Sequence, residues 1–232
     1  MGRAATRPDK RLFMALLRET SREVGVQLGD SQAEEFWLYL QELLEWNRTV
    51  NLTAITAPPD IVIKHFVDSL TPLPYFAPPT SLLDVGAGAG FPGIPLKIAA
   101  PHLRICLVES QRRKVSFLKH IIRTLNLRNA TVIHSRVEDL PPQDPSFTTV
   151  ISRAFRRLEP LLDAVSPLLS PGHTLIAMLG PTTAGDHRRF RELASAHGLQ
   201  LDSLIPIELP RSRGGRTLAF FQKASCYDSQ VP

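Results

Sequence analysis

Cysteine is scarce in this chain. Only Cys106 and Cys226 occur among 232 residues, so no disulfide framework is expected and a four-cysteine zinc site is excluded by count. Long apolar runs are missing as well. None approaches the ~20 residues a helix needs to cross a bilayer, which predicts no membrane partner. The basic start, with Arg3, Arg7, Lys10 and Arg11, is not followed by an apolar segment, so no secretory signal is expected and the predicted location is the cytoplasm. Internal repeats and low-complexity stretches are absent too. What is present is ordinary for a globular protein: 43% hydrophobic and 21% charged residues, enough at this length to bury a core without cross-links or metal. The net charge of +5 points weakly to a polyanionic partner.

The first 80 residues read as a helical N-terminal extension. Leu12, Phe13, Leu16 and Leu17 form an apolar stripe that Gly25 closes. Ser31 followed by Glu34 matches a capping box, and Phe36, Leu40, Leu43 and Leu44 recur behind it at helical spacing. A short helix is expected around Ile61 to Leu70. From Ser81 the pattern changes to alternating strands and helices. Strands are predicted at Ser81–Val85, Leu103–Val108, Ala130–His134, Phe147–Ser152, Thr174–Met178, Leu201–Ile207 and Thr217–Gln222, with helices after the first, second, fourth and fifth. This alternation predicts an α/β domain over 81–224, built on a doubly wound, mostly parallel sheet that ends in an antiparallel hairpin. Residues 225–232 are left as a tail.

The strongest local signal is Asp84-Val85-Gly86-Ala87-Gly88-Ala89-Gly90, directly after the first strand. Glycines there let the chain turn sharply and let a ligand approach the backbone. Phe91-Pro92-Gly93 opens the following helix, whose free N–H groups favour a carboxylate or phosphate. Glu109 stands at the tip of the second strand, where an acid accepts hydrogen bonds from ribose hydroxyls. The spacing Gly86-x-Gly88-x-Gly90 departs from the dinucleotide fingerprint and suits S-adenosylmethionine better. The competing readings are a turn that merely joins strand to helix, and for Glu109 a solvated strand end.

At this point the chain resembles a known family, the small-subunit (16S) ribosomal RNA guanine-N7 methyltransferases, also called glucose-inhibited division protein B. The matching stretches are Trp46-Asn47-Arg48-Thr49-Val50-Asn51-Leu52-Thr53, His65-Phe66-Val67-Asp68-Ser69-Leu70, Gly86 through Leu96, Ser135-Arg136-Val137-Glu138 and Ser152-Arg153-Ala154-Phe155. The resemblance implies a class I methyltransferase fold, a Rossmann-like seven-stranded sheet with an antiparallel last strand. It implies S-adenosylmethionine as methyl donor, no metal, and a guanine N7 of 16S rRNA in the small ribosomal subunit as acceptor. Gly86, Gly88, Gly90 and Phe91 would line the donor, Val137 and Glu138 would flank its adenine, and Arg153 would reach the pocket from the fourth strand. Glu109 fits the ribose-binding place. The family commonly has Lys-Gly after the fifth strand; this chain has Leu179-Gly180.

The residues agree with that chemistry. Methylation at a pyrimidine C5 needs a cysteine nucleophile, yet Cys106 lies mid-strand and Cys226 in the tail. The loop after the fourth strand lacks the Asp/Asn-Pro-Pro-aromatic pattern used for exocyclic amines. Guanine N7 carries an in-plane lone pair and needs no deprotonation, so positioning suffices. No acid or base is expected, and Arg153 and Phe155 are the candidates for positioning the base. Arg156 and Arg157, with Arg153, form one basic cluster for RNA; Arg211, Arg213 and Arg216 form another; Arg112, Arg113 and Lys114 crowd the start of a helix, where cations oppose the helix dipole. Each cluster also reads as a solvated basic surface. His65 and Asp68 share a helix face, either closing the pocket or anchoring the N-terminal helices. Trp46 is either core or a stacking platform. A monomer is expected, with no DNA partner. The alternatives are a methyltransferase acting on a small molecule or protein, an oxidoreductase with a dinucleotide, and a non-catalytic RNA-binding module.

Overall fold

The structure, a computed structural model, describes residues 8–76, 81–143, 146–153, 157–212 and 214–224. The first helix, α1 (Lys10–Glu23), starts at Asp9, whose carboxylate accepts the Arg11 and Leu12 N–H groups at 2.8 and 3.1 Å. Helix α2 (Asp30–Val50) buries Phe36, Tyr39, Leu40 and Leu43 completely. Its cap is not the expected Ser31–Glu34 box. Gly29 is the N-cap, and its N–H donates to Gln32 Oε1 at 2.8 Å. Gln32 also donates through Nε2 to Ala99 O at 2.8 Å, so a tertiary contact holds the capping side chain. Asn51, left-handed at φ 54°, closes the helix.

The helix expected near Ile61–Leu70 begins earlier and is not regular. It runs through α3 (Pro58–Ile61), a π-helical turn (Val62–Val67) and α4 (Asp68–Leu70). A π turn inserts a residue into the helical repeat and changes the direction in which following side chains point. Among the described residues no helix is long and apolar enough to cross a membrane.

Seven strands form one sheet: β1 (Ser81–Val85), β2 (Arg104–Glu109), β3 (Ala130–His134), β4 (Thr149–Ser152), β5 (Thr174–Leu179), β6 (Leu199–Glu208) and β7 (Gly215–Lys223). Their spatial order is β3-β2-β1-β4-β5-β7-β6. β1 to β5 pair in parallel, and β7 lies antiparallel between β5 and β6. Helices α5 (Gly93–Ala99), α6 (Arg112–Thr124), α7 (Leu158–Val165) and α8 (Ala184–Ala196) follow β1, β2, β4 and β5.

Alternation along the strands divides the core in two. Leu82, Leu107, Ile151, Ile176 and Phe220 pack on one face with α1, α2, α5 and α6. Leu83, Val108, Val150, Leu175 and Phe221 pack on the other with α7 and α8. The N-terminal helices thus share a core with the face that carries α5. The strand order reverses between β1 and β4, and open α/β sheets bind ligands in the crevice at such a switch point, beyond the strands' carboxyl ends.

Candidate active site

The glycine turn sits at that switch point. The Gly86 and Ala87 N–H groups both donate to Val108 O at 3.0 Å, which ties the turn to β2. Gly88 N–H donates to Glu109 Oε2 at 2.9 Å, and Gln111 N–H donates to Glu109 Oε1 at 2.8 Å. The carboxylate therefore spans the gap between the turn after β1 and the loop after β2. Gly90 adopts φ 97°, and a Cβ there would lie 2.6 Å from Ile94 Cγ1 and 2.8 Å from Tyr39 Oη. Only glycine fits that point.

Beside the turn lies a cleft of about 390 Å³, lined by Gly86, Val108, Glu109, Ser110, Ser135, Arg136, Val137 and Glu138. It joins a carboxylate, backbone groups and the apolar side chains of two valines, a mixture suited to a nucleoside. Gly86, Glu109, Val137 and Glu138 are brought together here. Ser110, Ser135 and Arg136 also line it; Ser135 and Arg136 belong to the matching stretch 135–138 but carry no site role there, and Ser110 lies outside every motif. For Ser110, its adjacency to Glu109 is the signal the sequence offers.

Beneath the turn, Asp84 is fully buried. Its Oδ2 accepts the Gly93 N–H at 2.8 Å, and its Oδ1 has no partner among the described residues. Burial pushes its carboxyl up to about 7, against the opposing pull of the Gly93 N–H and of Arg153. A carboxylate buried with a free oxygen fits a cationic ligand group.

Arg153 and Phe91 do not line the cleft. The Phe91 ring is buried. It stacks on His65 with centroids 4.5 Å apart, and Tyr39 stacks on it at 5.6 Å. The Arg153 guanidinium lies 5.0 Å from the Phe91 centroid. Its Nη1 donates to Lys64 O at 3.1 Å and to Asp68 Oδ2 at 3.0 Å, and its Nη2 lies 3.2 Å from His65 Nδ1. Arginine has no acceptor, so Nδ1 must accept and His65 carries its proton on Nε2. That N–H donates to Thr53 Oγ1 at 2.7 Å. Burial, Arg153 and Arg216 together push the imidazole down to about 3, so His65 is neutral at physiological pH. Asn47 holds the Thr53 loop from both sides, donating to Thr53 O at 2.9 Å and accepting Thr53 N–H at 2.8 Å.

The arginine clusters separate. Arg216, on β7, donates from Nε to Asp68 Oδ1 at 3.0 Å and joins the Arg153 group. Arg211 is exposed and pairs instead with Glu19 on α1 at 2.7 Å. Arg157 is exposed. Phe155, Arg156 and Arg213 lie outside the described residues. Tyr39 was not legible as a site residue: its hydroxyl donates to Ala89 O inside the glycine turn, but in sequence it is one more member of an apolar stripe.

Comparison with known proteins gives consistent matches. A family model described as rRNA small subunit methyltransferase G matches residues 32–211. The chain is 36% identical over 225 residues to a protein named Ribosomal RNA small subunit methyltransferase G from Geobacillus thermodenitrificans, covering 95% of this chain and 93% of that one. It is 38% identical over 221 residues to a protein of the same name from Syntrophus aciditrophicus, covering 93% and 92%. Among solved structures, P. horikoshii TYW2 in complex with MeSAdo superposes with a TM-score of 0.59 at 12% identity, covering 69% of this chain and 63% of that chain. A SAM dependent methyltransferase from Aquifex aeolicus gives 0.54 at 15% identity, covering 71% and 93%. These structural likenesses identify the class I methyltransferase fold.

Proposed function

The chain belongs to the ribosomal RNA small subunit methyltransferase G family, and from that premise we propose that it transfers a methyl group from S-adenosylmethionine to N7 of a guanine in 16S rRNA. It is an S-adenosylmethionine-dependent methyltransferase that acts on ribosomal RNA. We place this activity in the cytoplasm, on the small ribosomal subunit or its rRNA, with the protein acting as a monomer. The observation that carries the reading is the glycine turn at the sheet's switch point, joined through Gly88 to Glu109 on the wall of a nucleoside-sized cleft.

When bound, S-adenosylmethionine supplies a methyl on a positively charged sulfur, and the in-plane lone pair of N7 takes it without first losing a proton. The chain's task is therefore orientation. In this reading Glu109 holds the ribose hydroxyls, with Gly88 N–H keeping the carboxylate in place. Val137 and Glu138 flank the adenine. Gly86, Gly88 and Gly90 let the backbone pass close to the donor, and Asp84 Oδ1 is the acceptor available to its ammonium group. Phe91 supports the turn from below through its stack with His65. Arg153 bridges the end of β4 to the π turn, where it shapes the wall facing the guanine. Arg156, Arg157, Arg211, Arg213 and Arg216 supply positive charge for RNA, and Phe155 a ring for the base. No residue needs to act as acid or base, and no metal is required.

The test is transfer of a labelled methyl to small subunits and to naked 16S rRNA from cells lacking the gene, with DNA and free guanosine as controls. Label mapped to one guanine N7 is the expected result. Donor binding without transfer to either rRNA form would remove the assignment and favour a small-molecule or protein acceptor.

A further inference from the structure

Helix α6 carries five cations, Arg112, Arg113, Lys114, Lys119 and Arg123, and no Asp or Glu. Arg112, Arg113, Lys119 and Arg123 are exposed. Among the described residues none of the five forms an ion pair. Arg112, Ser116, Lys119 and Arg123 follow at helical spacing, so they form one stripe, ~16 Å long at 1.5 Å per residue. The stripe starts two residues beyond Ser110, which lines the cleft beside the glycine turn.

Along this helix runs a second cleft of about 440 Å³, lined by Trp46, Thr49 and Val50 of α2 and by Arg113 and Ser116 of α6. The Trp46 ring rests on Phe117 at 5.6 Å and on His120 at 5.0 Å, and the residue is half-buried. The acids of α2 nearby are already engaged: Glu42 pairs with His120 at 2.7 Å and Glu45 with Arg48 at 2.8 Å. The surplus on α6 is therefore uncompensated, a cost in the free protein that a polyanion would relieve.

Resting on the methyltransferase reading above, we infer that the α6 face and the Trp46 cleft form the surface on which single-stranded RNA flanking the target guanine docks. Phosphates lie along Arg112, Arg113, Lys119 and Arg123, and one unpaired base enters the cleft against Trp46. Exposed cations beside an aromatic platform are the means by which proteins hold single strands without reading sequence. The surface adjoins the donor cleft, so a strand lying on it leads toward the methyl group.

The experiment compares the wild type with the exposed-face variant R112Q/R113Q/K119Q. It measures binding to a single-stranded 16S rRNA fragment against salt, KM and kcat for naked 16S rRNA, and affinity for S-adenosylhomocysteine. The expected result is about tenfold or more weaker RNA binding at low salt and a log–log salt slope shallower by about 2, at ~0.7 per lost phosphate contact. Donor-product affinity and kcat at saturating RNA stay near wild type. Unchanged KM and slope would overturn the inference. In a W37F background, RNA should quench the fluorescence of Trp46; saturating RNA without quenching overturns the stacking. Wild-type enzyme that binds the fragment but methylates no 16S rRNA would defeat the activity assignment instead, a different outcome from either.

Discussion

Asp68 lies between Arg153 and Arg216. Its Oδ2 accepts from Arg153 Nη1 and its Oδ1 from Arg216 Nε, each at 3.0 Å. The carboxylate is fully buried, while the two arginine side chains keep 18% and 32% exposure. One acid from the N-terminal helices thereby joins the end of β4 to the start of β7. The end of β4 borders the switch-point crevice, and β7 lies beyond β5. A buried charge pair stabilises little in net terms, yet breaking it by removing one partner is costly.

Asp68→Ala should therefore destabilise the protein toward the lower end of roughly 3–5 kcal/mol, because both arginines keep some access to water. Urea denaturation measures this. Methyl transfer should fall by more than the folded fraction does, since Arg153 loses its anchor. A variant that unfolds at the wild-type midpoint would show that the bridge is not a tether.

Asp84 and His65 should give opposite pH dependences of stability. The folded-state Asp84 carboxyl is raised from 3.8 to about 7. Between those values the folded protein holds a proton that the unfolded chain has lost, so stability falls as pH rises. The folded-state His65 imidazole is lowered from 6.5 to about 3. Its contribution is fully present above 6.5 and is lost as pH falls toward 3. The two slopes oppose each other between about pH 4 and 6.5, each worth about 3 kcal/mol across that window. Asp84→Asn should leave stability rising steeply with pH across that window, and His65→Gln should leave it falling. Thermal melts from pH 4 to 8 separate the cases; parallel profiles for the two variants would contradict the assignment.

Gly90→Ala should cost stability and donor binding together. The new methyl would sit 2.6 Å from Ile94 and 2.8 Å from Tyr39 Oη, on a backbone at φ 97°. Left-handed strain and overpacking each cost ~1–3 kcal/mol. Calorimetry with S-adenosylhomocysteine and a melt should both report the loss. Gly172→Ala is the control, because a Cβ there meets nothing within 4 Å at a similar φ of 82°.

Glu109→Gln keeps an acceptor oxygen but loses the charge that favours hydroxyl donors. Donor affinity should fall by about tenfold, the range of a hydrogen bond to a charged group, with little change in RNA affinity. Equal donor affinity would place the ribose elsewhere.

Much of the frame could be read in advance where local forces decide it. Ser81–Val85 and Ala130–His134 have the predicted limits, because short apolar runs bounded by turn residues leave little choice. The glycine turn was legible because its residues are adjacent and its backbone excludes side chains. Other features were not. Ser31 looked like a cap, but Gln32 is held by the Ala99 carbonyl, so the helix starts earlier. The π turn at Val62–Val67 has no spacing signature, since its extra residue is tolerated by the packing around it.

What the sequence determined by itself is the order of strands and helices, the switch to α/β alternation at Ser81, and the glycine turn with its following acid. These rest on interactions among near neighbours. What only the tertiary structure decided is where Phe91 and Arg153 point and which acids they meet. Asp68 is 85 residues from Arg153 and 148 from Arg216, and no local propensity selects one partner over another at such separations. The shared core under α1, α2 and α5 brings them together, and burial then requires that the carboxylate be paired.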